Sequence, residues 1–446
     1  MRFPITADSP VEHDGPLPEA VDVAIIGGGV AGISTALFLA RAGQKVAVLE
    51  KGRIAGEQSS RNWGWIRQQG RDPSELPLVI EALRHWQSLN IETNDALGFR
   101  REGIVYIAKT EAELAAHEAW LPHARAHGVD TRLLSRRELS ALMPNAPGWA
   151  GGIVTPSDAR AEPWVAVPVL ARLAAQAGAV IREGCAVRRL EVTGGQVTGV
   201  LTERGRIAAG RVVLAGGAWS GMFARAHGVR LPQLAVRCTV GVTQELPEIF
   251  AGAASDGRVA FRRRLDGRYT LASGALHDVY VGPDAFRYLK DFLPQIRADI
   301  SGSHFKPAAP KGFPDAWGTP RRLRADRATP FEAMRVLDPA PNPMFSEMFR
   351  TRFAEAFPVL GEIRLDLTWA GMIDTLPDVV PALGEAPDLP GLIVATGLSG
   401  HGFGIGPGVG RVIADIAMGR AIDHELSRFR LSRFTDGSPV VLGPSL

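Results

Sequence analysis

The stretch "VDVAIIGGGVAGISTALFLARAG", residues 21–43, contains the pattern that decides the fold. Six nearly all-apolar residues precede a run of glycines, as in a strand that is buried inside a parallel sheet. Apolar residues with helical spacing follow, and Gly43 stands where a helix C-cap is expected. The next segment, "QKVAVLEKG", predicts a second buried strand. The chain therefore opens with a β-α-β unit.

The glycines of this unit have the spacing of a dinucleotide-binding fingerprint. Gly27 permits a tight turn, Gly29 lets the backbone approach a pyrophosphate, and Gly32 lets the helix pack closely on the strand. The helix N-terminus then faces the phosphates. Glu50 ends the second strand, where an acid accepts hydrogen bonds from ribose hydroxyls. The alternative interpretation is a glycine-rich turn that only packs a helix on a sheet.

Two later segments repeat a strand followed by a glycine-rich turn. They are "RVVLAGGAW", residues 211–219, and "LIVATGLSGHGFGIGPGVG", residues 392–410. NAD and FAD share the glycine fingerprint. The two additional units are expected when one long dinucleotide is bound along the sheet, which favours FAD.

Composition excludes several classes of function. The length of 446 residues suggests two or three domains, and 46% hydrophobic residues suffice for a sizeable core. The net charge of +3 is scattered, so we expect no nucleic-acid partner. Cys185 and Cys238 lie far apart, which suits a reducing compartment and predicts no metal site. We find no signal peptide and no membrane span, and we expect a cytoplasmic protein with a flexible N-terminal arm.

The sequence resembles the D-amino-acid oxidase-like family of flavoproteins, which includes glycine oxidase, sarcosine oxidase and D-amino-acid dehydrogenases. Four segments carry the resemblance, and with the order of elements it extends from Val21 to Gly419. The segments are the opening unit at 23–52, "SSRNWGWIRQQG" at 59–70, "RVVLAGGAWSG" at 211–221, and "GLIVATGLSGHGFGIGPGVGRVIADI" at 391–416.

We predict an α/β protein with two domains. One is a Rossmann-like FAD-binding domain on a mostly parallel sheet, and the other is an inserted α+β substrate domain on a mainly antiparallel sheet. The predicted boundaries are a flexible arm at 1–20, FAD-binding segments at 21–84, 151–235 and 365–430, substrate-domain segments at 85–150 and 236–364, and a C-terminal tail at 431–446.

The resemblance also implies which residues contact FAD. The predicted contacts are Gly27, Gly29, Gly32, Glu50, Lys51, Ser59, Ser60, Arg61, Val187, Gly216, Gly217, Trp219, Gly400, Gly402, Phe403 and Gly404. In the family the last glycine loop lies against the flavin ring, and a helix expected to begin near Gly408 directs its positive end at the reduced flavin. Gly371 stands where family members attach flavin through a cysteine, so we expect non-covalent FAD.

Four residues are candidates for substrate chemistry. Arg67 matches an arginine that binds the substrate carboxylate in sarcosine-oxidase-like members, although a structural ion pair is the alternative. In "FRRRLDGRYT" strand alternation places Arg262 and Arg264 on one face, where Arg264 is a second clamp or a solvated residue. Tyr269 has the same ambiguity. His401 either takes part in proton transfer and flavin tuning or only bonds to the backbone.

Two departures from the family affect the predicted reaction. Gly404 replaces a lysine that helps to hold the carboxylate, and Thr270 aligns loosely with a lysine that activates oxygen. Oxidase and dehydrogenase therefore both stay open. The resemblance implies oxidation of the C–N bond of an amino acid or N-substituted amino acid by hydride transfer to flavin N5, followed by hydrolysis of the imine. The alternatives are a 2-hydroxy-acid or polyol dehydrogenase, and a flavin-binding subunit of a hetero-oligomeric amine dehydrogenase; a homo-oligomer is also open.

Overall fold

Two large β-sheets and the helices packed on them make up the structure, which is a computed structural model describing residues 3–144 and 148–443. In chain order the strands are β1 (Ala20–Ile26), β2 (Val46–Leu49), β3 (Trp65–Ile66), β4 (Ile104–Ala108), β5 (Arg132–Ser135), β6 (Gly151–Thr155), β7 (Ala159–Arg160), β8 (Val180–Arg182), β9 (Val187–Thr193), β10 (Gln196–Thr202), β11 (Gly205–Leu214), β12 (Leu234–Thr243), β13 (Ala253–Ser255), β14 (Ala260–Arg263), β15 (Tyr269–Ala272), β16 (His277–Tyr280), β17 (Ser303–Lys306), β18 (Leu365–Thr375), β19 (Ala382–Glu385) and β20 (Leu392–Thr396).

The α-helices are distributed through the chain between these strands. They are α1 (Val30–Arg41), α2 (Gln58–Arg61), α3 (Leu76–Glu92), α4 (Glu111–Glu118), α5 (Leu121–Ala126), α6 (Arg136–Leu142), α7 (Pro163–Gln176), α8 (Ser220–Ala226), α9 (Pro283–Arg287), α10 (Leu289–Ala298), α11 (Pro330–Ala333), α12 (Pro343–Ala356) and α13 (Gly402–Met418). Within the described ranges, no helix combines the length and the apolar character that crossing a bilayer requires.

The first sheet has the order β19-β20-β11-β1-β2-β8, and β9 and β10 extend it as an antiparallel meander on β11. Strands β20, β11, β1, β2 and β8 run parallel. All four residues of β2 are buried, because helices cover one face of the sheet and the meander covers the other. Helix α1 packs against α13 and α7 on the helical face. The predicted Rossmann-like fold with a mostly parallel sheet is confirmed.

The second sheet has the order β17-β16-β12-β15-β14-β13-β4-β6-β5, with β18 paired to β12. Its pairs are antiparallel except β13 with β4 and β16 with β17. Aromatic residues of α12 cover one face, where Phe353 contacts the rings of Phe261 and Tyr269. The prediction of a mainly antiparallel second sheet is also confirmed.

Strand pairing moves some of the predicted domain boundaries. Strand β6 pairs with β4 and β5, and β18 pairs along its length with β12, so both belong to the second sheet rather than to FAD-binding segments. In the other direction, Phe313, Phe331 and Leu337 pack into the core of the first sheet, although they lie within the predicted substrate-domain segment. A short apolar strand in the sequence does not reveal its hydrogen-bonding partner, which is why these boundaries were wrong.

The predicted flexible arm is ordered from residue 3 onward. The ring of Phe3 packs on those of Trp164 and Trp369, and the Ile5 side chain is buried. Backbone amides of Glu12 and His13 donate to the carboxylate of Glu183. The prediction of flexibility was wrong for residues 3–19, because apolar and carboxylate contacts from distant segments hold them.

Candidate active site

A long cavity lies at the carboxyl ends of β1, β2, β11 and β20, where open α/β sheets bind their ligands. It contains about 1220 Å³ of space, part of which is open to solvent. Its lining extends from the first glycine turn, past the ends of four strands, to the loop at Gly400, so its extent suits a long ligand such as a dinucleotide. Most of the predicted FAD contacts line it: Gly27, Gly29, Glu50, Lys51, Ser59, Val187, Gly216, Gly217, Trp219, Gly400, Gly402 and Phe403.

The first glycine segment, residues 27–32, shapes the phosphate end of this cavity. Gly27 has a φ of +112°, and an added Cβ there would overlap the carbonyl oxygen of Ala215. Gly29 is the N-cap of α1 and has no side-chain cap. The Val30 amide donates to the Ser59 hydroxyl at 2.9 Å, which fixes the start of the helix. Uncapped amides at a helix N-terminus beside a glycine cradle fit a pyrophosphate.

Glu50 is held rigidly at the end of β2. Its two carboxylate oxygens accept hydrogen bonds from the amides of Gly28 and Gly52, both at 2.7 Å. Burial raises the pKa of Glu50 to about 7. A carboxylate oxygen has two lone pairs, so each oxygen can accept a further bond from a ribose hydroxyl. These residues fit FAD.

The residues around Lys51 form a fixed wall of the same cavity. The Lys51 ammonium donates to the Glu57 carboxylate at 2.6 Å and lies 4.6 Å from the centre of the Trp219 ring. The Trp219 indole donates to both oxygens of Glu57 at 3.2 Å. Lys51 also donates to the carbonyls of Met334 and Arg335. Lys51 therefore joins the FAD cavity to the segment that precedes α12.

Sequence reasoning missed several residues that line the cavity: Phe331, Arg335, Val336, Met372, Asp374 and Thr396. Asp374 accepts from the Gly397 amide at 2.7 Å and from the Thr396 hydroxyl at 3.2 Å, and burial raises its pKa to about 6. An acid inside the apolar run "AGMIDTL" was an available signal for a buried polar role. The segment containing Phe331 carried no such signal.

Some predicted FAD contacts lie outside the cavity lining. Arg61 is fully buried, and it donates to the carbonyls of Gly56, Ala370 and Ile5 and to the Asp338 carboxylate. These contacts give Arg61 a structural role, and its absence from the cavity lining gives no support to the predicted flavin contact. The buried Ser60 hydroxyl faces a backbone carbonyl of its own helix. Gly32 serves packing alone, because a Cβ there would overlap the Gly27 carbonyl.

The second glycine segment, residues 400–410, differs from the prediction. Helix α13 begins at Gly402 rather than near Gly408, and of the segment only Gly400, Gly402 and Phe403 line the cavity. At Gly406 and Gly410 an added Cβ would overlap α1, and at Gly408 it would lie 2.6 Å from a carbonyl of α3. These glycines bring helices together and do not contact the cavity.

Gly404 likewise packs rather than lines the cavity. A Cβ there would lie 3.3 Å from the Ile66 Cα and from the Trp65 carbonyl. Its own carbonyl accepts a hydrogen bond from the Trp86 indole at 2.9 Å. The backbone of β3 therefore occupies the space that the family lysine would need at this position, and the cation that holds a carboxylate has to come from elsewhere.

Arg67 follows β3 and is a half-buried cation without an acidic partner among the described residues. It donates to the Gln69 carbonyl at 3.1 Å and lies 5.3 Å from the centre of the Tyr106 ring. Among the described residues no carboxylate lies within 4.0 Å of its guanidinium, so a structural ion pair is absent in that part of the chain. Burial, and then the charge of Arg71, hold the Arg67 pKa well below its usual range.

Buried polar groups surround Arg67, and we call them the polar chamber: Arg67, Gln69, Arg71, Glu75 and His401. Side-chain atoms without a hydrogen-bond partner in the described structure are Arg71 Nη1, Gln69 Nε2, both Glu75 oxygens and both His401 ring nitrogens. His401 lies between Gly400 and Gly402, which line the FAD cavity. Buried polar atoms are normally paired, so the polar chamber is built for a polar ligand.

The other two predicted substrate residues have structural contacts. Arg264 is bound to Asp266 at 2.9 Å and lies over the Trp164 ring. Its neighbour Arg262 is fully buried and forms a bidentate pair with Glu162 at 2.9 and 3.1 Å. The Tyr269 hydroxyl accepts from the Ile249 amide at 2.9 Å inside an aromatic core. Arg264 is paired with an acid two residues along the chain and Tyr269 with a backbone amide, so these contacts give no support to a clamp at Arg264 or a site role for Tyr269.

The position of Gly371 bears on flavin attachment. An added Cβ there would overlap the Gln58 side chain. Neither Cys185 nor Cys238 lines the cavity, and burial raises the pKa of Cys238 to about 12. Non-covalent FAD stays a prediction.

In the ranges 3–144 and 148–443 no group of histidine, cysteine and acidic residues could hold a metal ion.

Comparisons with known proteins agree with this site. The chain is 26% identical over 431 residues to 4-methylaminobutanoate oxidase (formaldehyde-forming) of Paenarthrobacter nicotinovorans, covering 95% of this chain and 46% of that protein. It is 25% identical over 431 residues to human mitochondrial sarcosine dehydrogenase, covering 94% of this chain and 42% of that protein. The chain thus spans less than half the length of these two curated relatives.

A solved structure is similar over nearly its whole length. The L-amino acid deaminase from Proteus myxofaciens, in complex with anthranilate, superposes with a TM-score of 0.90 at 30% identity, covering 96% of both chains. The predicted class of FAD-dependent amine and amino acid oxidoreductases agrees with these relatives. The sequence model of the family described as "DAO: FAD dependent oxidoreductase" matches residues 22–416, and the protein therefore belongs to this family.

Proposed function

We propose that the protein oxidises the C–N bond of an amino acid or N-substituted amino acid that carries a free carboxylate. The observation that carries this proposal is the pair Arg67 and Arg71. Arg71 is buried and Arg67 half-buried beside the glycine loop of the FAD cavity, and within the described residues neither has a carboxylate within 4.0 Å. Asp158 and Glu75 raise the pKa values of both arginines, but from beyond ion-pair distance, so an anionic ligand within hydrogen-bonding reach would complete their pairing.

The two positive charges lie close enough to repel each other, which favours binding of an anion between them. The charge of Arg71 adds to burial in lowering the pKa of Arg67, and burial lowers the pKa of Arg71 to about 10. Arg71 Nη1 has no hydrogen-bond partner among the described residues. A carboxylate between the two guanidinium groups would neutralise this charge and fix the orientation of the α-carbon.

Bound FAD would supply the two-electron oxidising power, and the protein would supply binding and orientation. Gly27, Gly29 and Glu50 would hold the dinucleotide. Aromatic rings would wall the substrate side, since the Trp65 ring lies 5.4 Å from that of Trp63 and 6.3 Å from that of Tyr106. These walls would exclude water from the reacting centre and strengthen the contact between the arginines and the carboxylate.

The first test is anaerobic reduction of the purified holoenzyme by candidate substrates. Bleaching of the absorption band of oxidised flavin measures the reduction. The panel contains L- and D-amino acids, N-methyl amino acids, the matching amines without a carboxylate, and the matching 2-hydroxy acids. We expect reduction only by compounds with both nitrogen and carboxylate. Reduction by the hydroxy acids alone would favour the 2-hydroxy-acid alternative, and reduction by simple amines would contradict a carboxylate clamp.

The second test changes the clamp. Arg67→Ala should raise KM by roughly 10- to 100-fold and lower kcat while FAD content stays normal, because a charge-assisted hydrogen bond contributes about 1.5–3 kcal/mol. Arg67→Lys should rescue only part of this loss, because an ammonium lacks the planar fork. The matched control is Arg268→Ala, since Arg268 is an exposed arginine paired with Asp366. Wild-type kinetics of Arg67→Ala on the best substrate would contradict the clamp.

We also propose that the protein is cytoplasmic and is catalytic by itself, either as a monomer or as a homo-oligomer. Light scattering of the purified chain gives its oligomeric state. Turnover by this chain alone would exclude the alternative of a flavin-binding subunit that is active only in a hetero-oligomer.

A further inference from the structure

Glu75 is the buried acid of the polar chamber, and it stands at the N-cap of α3. Its side chain is fully buried, and neither carboxylate oxygen has a hydrogen-bond partner in the described structure. The nearest basic group is His401, whose Nδ1 lies 3.7 Å from Glu75 Oε2. A buried carboxylate with both oxygens free is rare, because burying an unpaired carboxylate costs several kcal/mol at least. Such a group at the edge of a substrate site points to a chemical role.

His401 connects Glu75 to the FAD cavity. It lies between two glycines of the cavity lining, and both of its ring nitrogens are buried without a hydrogen-bond partner among the described residues. One ring nitrogen faces Glu75, which leaves the other available to a ligand. An imidazole with this arrangement can take a proton on one nitrogen and release one from the other.

The proposed reaction needs such a route for a proton. An amino acid carries a protonated ammonium group near neutral pH, whereas loss of hydride from its α-carbon requires the nitrogen lone pair. Arg67 and Arg71 would attract the carboxylate, but their positive charge cannot remove a proton from the ammonium. A base close to the amine therefore has to be present or the substrate has to bind as the scarce neutral amine.

We propose that His401 receives the ammonium proton of the bound substrate and that Glu75 accepts it through the imidazole, which rests on the proposed amino acid oxidation. The N–H bond of the ammonium breaks and its proton binds to the free ring nitrogen of His401. The opposite ring nitrogen releases its proton to Glu75. The products are a neutral amine, a neutral imidazole and a protonated carboxyl, so charge and atoms balance without any oxidant.

The charges around the pair support this direction of transfer. Burial raises the pKa of Glu75 to about 7, so the group is a proton acceptor near neutral pH. Burial, and then the charges of Arg71 and Arg67, hold the pKa of His401 well below its usual range. His401 is therefore neutral at rest and relays a proton rather than storing it. The charged groups that act on the pair are Arg67, Arg71, Arg428, Asp72 and Asp378, and Asp158 acts on the two arginines.

The raised pKa of Glu75 determines whether the rate of flavin reduction rises or falls with pH. Below about pH 7 Glu75 is protonated and cannot accept the proton, and above it the carboxylate is available. The limiting rate of flavin reduction by the best amino acid should therefore rise with pH through an apparent pKa of about 7. Arg428 approaches Asp378 and Asp72 at 3.3 and 3.5 Å and stays outside ion-pair distance of Glu75, so it favours the ionised form without fixing it.

The experiment compares wild type with Glu75→Gln, His401→Asn and the control Glu92→Gln, an exposed acid at the end of the same helix that pairs with Arg41. Limiting rates of anaerobic flavin reduction are measured across pH 5.5 to 9, a range of roughly two units around the expected transition. Binding of the des-amino analogue of the substrate is measured from the shift of the flavin spectrum. Infrared spectra of the proteins at low and high pH report the protonated carboxyl band.

We expect Glu75→Gln to reduce the rate at neutral pH by roughly 100-fold or more, the usual contribution of a positioned base. Its rate should keep rising toward the higher pKa of the substrate amine, without the transition near neutral pH. His401→Asn should behave in the same way, and Glu92→Gln should match wild type. Both site variants should bind the des-amino analogue as wild type does, and Glu75→Gln should lack one carboxyl band that wild type loses near pH 7.

Three results would overturn the proposal. A wild-type rate and pH profile in Glu75→Gln would show that the acid is not the acceptor. Equal losses of substrate and analogue binding would assign Glu75 a purely structural role. A wild-type enzyme that no amino acid reduces, while it still binds FAD, would overturn the proposed function and with it this inference, so the two failures are distinguishable.

Discussion

The two glycine-rich segments begin the helices α1 and α13, yet their glycines serve different purposes. In the first segment Gly27 and Gly29 line the FAD cavity, whereas Gly28 packs against Ile54 and Gly32 against the Gly27 carbonyl. In the second segment packing predominates, because four of its six glycines lie inside α13 against α1, α3 or β3. A high density of glycine therefore indicates that something lies close to the backbone, but not whether it is another part of the protein or a ligand. The atoms that an added Cβ would meet show which glycines pack against another element of the protein.

The segments also depend on each other. A Cβ at Gly406 would overlap Val30, and one at Gly410 would overlap Ser34, so the glycines of α13 accommodate the first two turns of α1. An acid holds loop amides at each segment: Glu50 accepts from the Gly28 amide in the first, and the buried Asp374 accepts from the Gly397 amide just before the second. We expect substitutions to separate the roles, with cavity glycines affecting FAD binding and packing glycines affecting stability.

The largest effect is expected from Gly410→Ala. Its Cβ would overlap the Ser34 Cβ and would lie 2.6 and 2.7 Å from backbone atoms of Ser34 and Thr35, which cannot move independently of α1. We expect the free energy of unfolding to fall by about 3 kcal/mol, with or without FAD, the upper range for overpacking. Urea unfolding measures it, and Gly210→Ala is the control, since nothing lies within 4 Å of its Cβ. Equal stability of the two variants would contradict the packing role.

Glu50→Ala should act mainly on cofactor binding. The substitution removes the acceptor of the Gly28 and Gly52 amides and of the ribose hydroxyls. We expect FAD binding to weaken by roughly 1.5–3 kcal/mol, the contribution of charge-assisted hydrogen bonds. Fluorescence titration of apoprotein with FAD measures the loss. Unchanged affinity would show that the acid orients the loop without contacting the ribose.

Gly29→Ala gives a smaller effect of the same kind. Its Cβ would meet only the Ser59 hydroxyl at 3.0 Å, which is mild crowding in the apoprotein. The methyl group would, however, occupy the space where the pyrophosphate approaches α1. We expect FAD binding to weaken by about 1–2 kcal/mol, while the stability of the apoprotein changes by less than about 1 kcal/mol. A variant that binds FAD normally but unfolds more easily would reverse the assignment.

The parts of the structure that the sequence predicted well depend on local signals. The β-α-β unit lies within the motif that identifies it, and Glu50 at its end lines the cavity, whereas the role of Arg67 stays a prediction. Glu75 escaped prediction because an acid at the start of a helix is ordinary in sequence, and its neighbour His401 is far away in the chain. Arg262 and Arg264 looked available because Glu162 and Trp164 are equally distant in sequence. The sequences of β6 and β18 contain no motif that indicates which of the two sheets each strand joins.

The smallest effect is expected from Gly404→Ala, which tests the boundary between the two roles. The added Cβ would lie 3.3 Å from the Ile66 Cα and from the Trp65 carbonyl, and 3.6 Å from the Arg67 amide. This contact requires a shift of a few tenths of an ångström, whereas alanine gains about 0.5–1 kcal/mol over glycine within a helix. We therefore expect the free energy of unfolding to stay within about 1 kcal/mol of wild type.

The shift should instead appear in catalysis, because β3 leads directly to Arg67. A displaced Arg67 should raise KM about two- to fivefold with little change in kcat, as expected when ground-state and transition-state binding weaken equally. Gly404→Lys sharpens the test, since a long side chain cannot fit against the β3 backbone and should destabilise the protein. If Gly404→Lys is stable and binds substrate more tightly, the space beside β3 is larger than the contacts of Gly404 indicate, and a second cation can assist Arg67.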